Sequence, residues 1–148
     1  MGVVKDKLLD DGVRPAVISD CVRLIDQEVA SKRGVGGMMI KGGYKAFKKF
    51  KPSIVKDAVE ALLESFTEVL DDVYEDYLKE DGKTPFDTWA SRRKPSIANS
   101  LLGITDSIID SSDKAAIKKM YGGMRKIGQK NVEEAIPGIS RLVIKYVD

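Results

Sequence analysis

Apolar residues recur at three- and four-residue spacing along nearly the whole chain, and no stretch sustains the period-two alternation of a half-buried strand. That pattern restricts the 148 residues to helices packed on helices. A first helix is expected from Arg14-Pro15 to Ser31, with Val17, Ile18, Cys21, Val22, Ile25 and Val29 on one face. A second, Met38 to Lys51, gathers Met39, Ile40, Gly43, Tyr44, Phe47 and Phe50 on one side and Lys41, Lys45, Lys48 and Lys49 on another. Its apolar side, with Tyr44 and Phe47, is expected to face inward. The clearest helix runs from Ile54 to about Lys79. Val55, Val59, Leu62, Leu63, Phe66, Leu70, Val73 and Tyr77 lie opposite a stripe of Asp57, Glu60, Glu64, Glu68, Asp71 and Glu75.

Thr84-Pro85 opens a short linker helix over 84–93 that holds Phe86 and Trp89, and Lys94-Pro95 opens another ending at Ser111-Ser112-Asp113. A basic amphipathic helix from Lys114 to Lys130 follows. Asn131 and Glu134 have the spacing of a capping box for a separate last helix, which Pro137-Gly138 would break or kink. The expectation is an all-α bundle of about six or seven helices, forming one domain over 1–148.

Residues 14–31 align without a gap on 94–111, and 40–70 align on 117–147. Pro15 meets Pro95 and Asp26 meets Asp106; in the second block Ile40, Lys41, Tyr44, Lys49, Val55 and Ala58 are identical to Ile117, Lys118, Tyr121, Lys126, Val132 and Ala135. Two readings are open. One is a duplicated three-helix unit, 14–79 and 94–148, related by a pseudo-twofold axis. The other is that amphipathic helices align through periodicity alone. Duplication predicts that Tyr44 and Tyr121 occupy equivalent, largely buried places.

Composition narrows function. Histidine is absent, which removes the commonest general base and transition-metal ligand. The acidic stripe reads as a solvated face, since a carboxylate metal site within a bundle needs inward glutamates. Cys21 sits on an apolar face, where it reads as a small hydrophobe; being the single cysteine, it forms no intrachain disulfide. Gly34-Val35-Gly36-Gly37 ahead of Lys41 lacks P-loop spacing and reads as a flexible connector. No enzymatic activity, cofactor or metal is therefore expected. With no signal-like opening and no apolar run of membrane-spanning length, a cytoplasmic protein without a transmembrane segment is expected.

Charge carries the remaining functional signal. The net charge is +2, yet Lys32 to Lys51 holds seven basic residues and no acidic one, and Lys114 to Lys130 holds six and none, whereas Ser53 to Asp81 holds ten acidic residues. Lys41, Lys45, Lys48, Lys49, Lys118, Arg125 and Lys126 are the candidate anion-binding residues, for nucleic acid or an acidic membrane surface. The leading reading is a non-enzymatic interaction or scaffold protein that binds a protein partner or self-associates through apolar surface near Trp89, with the anion-binding module as the alternative.

The run IKGGYKAFKKFKP at 40–52, preceded by Arg14-Pro15-Ala16-Val17 and Asp26-Gln27-Glu28-Val29, resembles a family of small all-helical bacterial proteins with no assigned function. The stretches Leu101 to Asp106 and Asn131 to Pro137 are similar as well. The resemblance implies a bacterial, cytoplasmic helical protein and supplies no site.

With no metal-ligand constellation in the sequence, a chelator is expected to leave thermal stability and helix content unchanged. A midpoint lowered by several degrees in a thermal melt would reveal a bound stabilising ion.

Overall fold

Pro15 and Pro95 each stand in the first turn of a helix, where a missing N–H costs nothing, and each helix begins where its proline predicts. The computed structural model describes residues 2–147, so the expected domain limits Met1 and Asp148 lie outside the described residues. Among these residues there are seven helices and no strand: an all-α bundle. They are α1 (Val3–Leu8), α2 (Arg14–Ser31), α3 (Gly34–Phe50), α4 (Ile54–Glu80), α5 (Phe86–Ser91), α6 (Lys94–Asp110) and α7 (Ala115–Val147).

The core forms around the apolar stripe of α4. Val59, Leu63, Leu70, Val73 and Tyr77 meet Val4 and Leu8 of α1, Val17 and Ile18 of α2, Phe86, Trp89 and Ala90 of α5, Ile97, Ala98 and Leu101 of α6, and Ile136 and Val143 of α7. Two omissions define the architecture. Helix α3 contributes no side chain to this core, and α7 contributes only from its C-terminal half. Helices α2 and α3 pair antiparallel, with Lys32 beside Gly37 and Asp26 beside Tyr44. Helices α6 and α7 pair likewise, with Pro95 bonded to Gln129, Asn99 to Arg125 and Asp106 to Tyr121. The outer parts of these pairs form two helical hairpins beyond the core.

Several boundaries differ from the sequence reading. Gly34 to Gly37 form the first turn of α3 rather than a flexible connector. Gly37 is buried there, and a Cβ on it would stand 2.6 Å from the carbonyl carbon of Lys32, so a glycine lets α3 fold back directly on α2. Helix α5 starts at Phe86 with Pro85 at the cap; the Thr84 carbonyl instead accepts the Tyr77 hydroxyl. Trp89 is only 4% exposed, against Tyr77 and Phe86 with the Arg93 guanidinium 4.2 Å over its ring. Trp89 is therefore part of the core rather than an exposed apolar side chain.

The largest difference is α7, one continuous helix where two were expected. The capping box does not form, because the Asn131 amide donates to the Ile127 carbonyl as a mid-helix residue does. Pro137 lies inside the helix and removes a backbone donor at a usual cost of roughly 3 kcal/mol. Burial of Ile136, Ser140 and Val143 on either side offsets that cost. Leu24 of α2 packs against Gly138, where a Cβ would stand 2.5 Å from Leu24 Cδ1.

Ile136→Ala is expected to lower unfolding free energy by about 2–5 kcal/mol, as for other large-to-small core changes. Phe50→Ala, at a residue 89% exposed, is expected to change it by less than about 0.5 kcal/mol. Urea titrations of the two variants check the contrast.

Candidate functional site

Helical geometry explains why α3 leaves so much apolar surface in water. Advancing each residue by about 100° places Gly37, Ile40 and Tyr44 on one line, and this line touches α2. It runs along the edge of the apolar face rather than its middle. Val35, Met38, Met39, Phe47 and Phe50 therefore point outward, 61% to 89% exposed. Phe47 does not face inward as its grouping with Tyr44 suggested. Periodicity groups residues on a face but leaves the direction of that face to the packing.

The N-terminal half of α7 repeats the arrangement. Tyr121 and Arg125 lie half-buried and bond to α6, while Ile117, Met120, Met124 and Ile127 stay exposed. Among the described residues, every exposed large apolar side chain except Val3 and Leu78 belongs to one of the two hairpins; Ile108 near the end of α6 is the remaining member. Lys41, Lys45 and Lys49 are exposed on α3, and Lys118, Lys119, Lys126 and Lys130 on α7. None of these has an ion-pair partner among the described residues.

Each hairpin is closed by a carboxylate that receives a tyrosine and a cation. In the first, Tyr44 donates its hydroxyl to Asp26, and Lys48 stands 3.5 Å from the same carboxylate and 5.2 Å from the Tyr44 ring centre. In the second, Tyr121 donates to Asp106, and Arg125 grips both carboxylate oxygens at 2.9 and 3.0 Å. Arg125 also donates to Gln129 and Asn99. Of the candidate anion-binding residues, Arg125 is thus occupied within the fold and Lys48 partly so; Lys41, Lys45, Lys49, Lys118 and Lys126 remain open to solvent. The structure brings the first four candidates together on α3 and the last three together on α7.

The electrostatic consequences follow from these contacts. Arg125 and then Tyr121 hold the Asp106 carboxyl below its ordinary value, while burial and the Asp106 bond push the Tyr121 phenol up. Burial and Asp26 push the Tyr44 phenol up in the same way. Both tyrosine rings are half-buried rather than largely buried. Cys21 is half-buried, and burial lifts its thiol to about 11, which leaves little thiolate at neutral pH.

The acidic stripe of α4 is partly structural, which the sequence did not signal. Asp71 accepts the backbone N–H of Lys5 at the start of α1, and the Lys5 ammonium reaches Glu64 and Glu68. Among the described residues no three His, Cys, Asp or Glu side chains converge as a metal site would need.

A protein-family model described as "Family of unknown function (DUF6918)" matches residues 4–147. No curated protein and no solved structure matches the chain.

The Asp106 contact generates a pH prediction. Because its folded pKa lies below the ordinary 3.8, its stabilisation is present above that value and is lost as pH falls through the folded pKa. Asp106→Asn should destabilise at neutral pH by up to about 1 kcal/mol, the ceiling for a partly exposed pair. Urea midpoints from pH 7 to pH 3 should show the gap between the two proteins closing only in acid. A gap that persists unchanged there would assign the loss to shape rather than charge.

Proposed function

The chain belongs to this DUF6918 family of unknown function, and from its own surface we propose that it is a non-enzymatic interaction module, acting in the cytoplasm, whose two basic hairpins dock on an anionic partner. The observation that carries this reading is the coincidence of two kinds of exposure. On the helix segments left out of the core, Lys41, Lys45, Lys49, Lys118, Lys119, Lys126 and Lys130 have no ion-pair partner among the described residues, and the large apolar side chains there lack cover. A charged surface needed only for solubility has no use for exposed Met38, Met39, Phe50, Met120 and Met124 beside it.

A duplicated origin for the hairpins belongs to the same proposal. Alignment of 14–31 on 94–111 pairs Asp26 with Asp106, and alignment of 40–70 on 117–147 pairs Tyr44 with Tyr121 and Lys48 with Arg125. These are the partners in the two closing contacts. The same alignment pairs exposed Phe47 with exposed Met124 and exposed Phe50 with exposed Ile127. Helical periodicity accounts for matched apolar positions; it does not account for a matched Asp–Tyr–cation set spanning two helices. The copies have diverged where Lys51-Pro52 separates α3 from α4 while α7 continues unbroken.

Replacing Lys41, Lys45, Lys49 and Lys126 with glutamine is expected to abolish retention on a polyanionic column without altering helix content. Replacing Lys7, Lys56, Lys79 and Lys83 makes the same change in net charge and should leave most of the retention. The salt needed for elution should fall for the first variant only, since counterion release scales with the contacts made. Equal losses in both would reduce the hairpins to ordinary surface and sink the reading.

A further inference from the structure

We propose that the anionic partner is the surface of an acidic lipid bilayer, into whose interface the apolar crests of α3 and the N-terminal half of α7 insert. This rests on the reading of the hairpins as the binding elements and adds what they bind.

Charge complementarity is the first argument. Each crest carries unpaired lysines along one side of its own helix: on α3 the arc of Lys41, Lys45 and Lys49 takes in Met38 and ends next to the arc of Val35, Met39 and Phe50, and on α7 the arc of Lys119, Lys126 and Lys130 adjoins that of Met120 and Ile127. A helix lying in the headgroup plane needs such a border, because its apolar side enters the acyl boundary while its ammonium groups stay among the phosphates. Lysine suits this use. Its compact charge on a long flexible stem follows a diffuse field of headgroups, and each such residue near an acidic leaflet contributes about 1 kcal/mol. The cation with planar recognition geometry, Arg125, is turned inward onto Asp106.

The chemistry of the α7 crest favours lipid over nucleic acid, whereas exposed Phe47 and Phe50 on α3 suit either. Single strands are held by aromatic planes on which bases stack. The exposed crest of α7 has no aromatic residue: it consists of Ile117, Met120, Met124 and Ile127. Tyr121, the one ring nearby, lies half-buried with its hydroxyl on Asp106. Such side chains gain nothing from a phosphate backbone and gain burial in an acyl layer. Among the described residues no helix is long and apolar enough to cross a membrane, and the proposed contact is one at the surface. A second copy of the chain is the weaker occupant, because crest against crest would also bring lysine against lysine.

The test uses the full-length protein with vesicles of phosphatidylglycerol in phosphatidylcholine, vesicles of phosphatidylcholine alone, and duplex and single-stranded DNA. Binding to the acidic vesicles is expected, weaker by at least about tenfold on neutral vesicles and on DNA. Replacing Met38, Met39, Phe47 and Phe50 with serine should leave helix content unchanged, as all four are exposed, and should lower vesicle affinity at least about tenfold. Phe50→Trp supplies a direct signal. Its emission should shift to the blue with acidic vesicles and be quenched by lipids brominated in the acyl chain, while buried Trp89 provides a constant background. DNA binding that matches vesicle binding and ignores the serine substitutions would overturn the bilayer proposal while leaving an anionic partner in place. Absence of binding to every anionic probe would overturn both, and equal binding to neutral vesicles would overturn the role of the lysines.

Discussion

The apolar stripe of α4 is the constraint on which the other helices depend. Helices α1 and α5 are six residues each, too short to persist in isolation, and they exist because Val4, Leu8, Phe86 and Trp89 close over that stripe. Helix α1 shows the cooperation required. Asp71 on the shoulder of the stripe accepts the Lys5 amide, Lys5 returns a charge to Glu64 and Glu68, and Gly2 has no side chain because a Cβ would stand 2.0 Å from Asp71 Cγ. A residue that looks solvated on a helical wheel thus becomes a cap once a second helix arrives.

Polar ties then fix what the core leaves loose. Along the crossing of α2 and α7, Lys32 pairs with Glu134 and Glu28, Leu24 faces Gly138, and Asp20 receives Lys145 and Tyr146. The order of these contacts makes the two helices antiparallel. Lys32 is only 8% exposed, so removing a carboxylate beside it would leave a charge with little water. The outer parts of the hairpins lie beyond the core, and each is tied by a polar cluster, at Asp26 or at Asp106, beside half-buried apolar residues such as Ile40 and Ile104. Contacts of this kind set direction and register more than they add stability.

Much of the fold was legible because proline and period speak directly to backbone geometry. The starts at Arg14-Pro15 and Lys94-Pro95, the core face of α4 and the grouping of residues on α3 all follow from local rules. What failed required tertiary knowledge. Gly34 to Gly37 look flexible until Lys32 stands against Gly37, and Pro137-Gly138 look like a break until Leu24 occupies the space beside Gly138. The candidate lysines were legible as a charge run, whereas Arg125 could be distinguished from them only by its geometry at Asp106. Aligning Asp26 with Asp106 and Tyr44 with Tyr121 contained the two closing contacts, and pairing each aspartate with its own tyrosine across the hairpin was the step that would have exposed them.

The proposed binding role would give the exposed crests an energetic use that folding alone does not. Apolar side chains on a core-facing helix stabilise the fold, and those on a charged helix that faces water contribute nothing to it while promoting aggregation. Phe50 would be replaceable by any polar residue if α3 only had to fold. Lysines beside the crests resolve half of this tension, because like charges keep free molecules apart and so hold the crests in solution. They resolve the other half when the opposing surface is acidic, since the same charges then attract and the apolar residues are buried on contact. Under the proposed reading, a single arrangement of residues would disfavour association with itself and favour association with an anionic surface, and that selectivity would come from the absence of carboxylates from Lys32 to Lys51 and from Lys114 to Lys130.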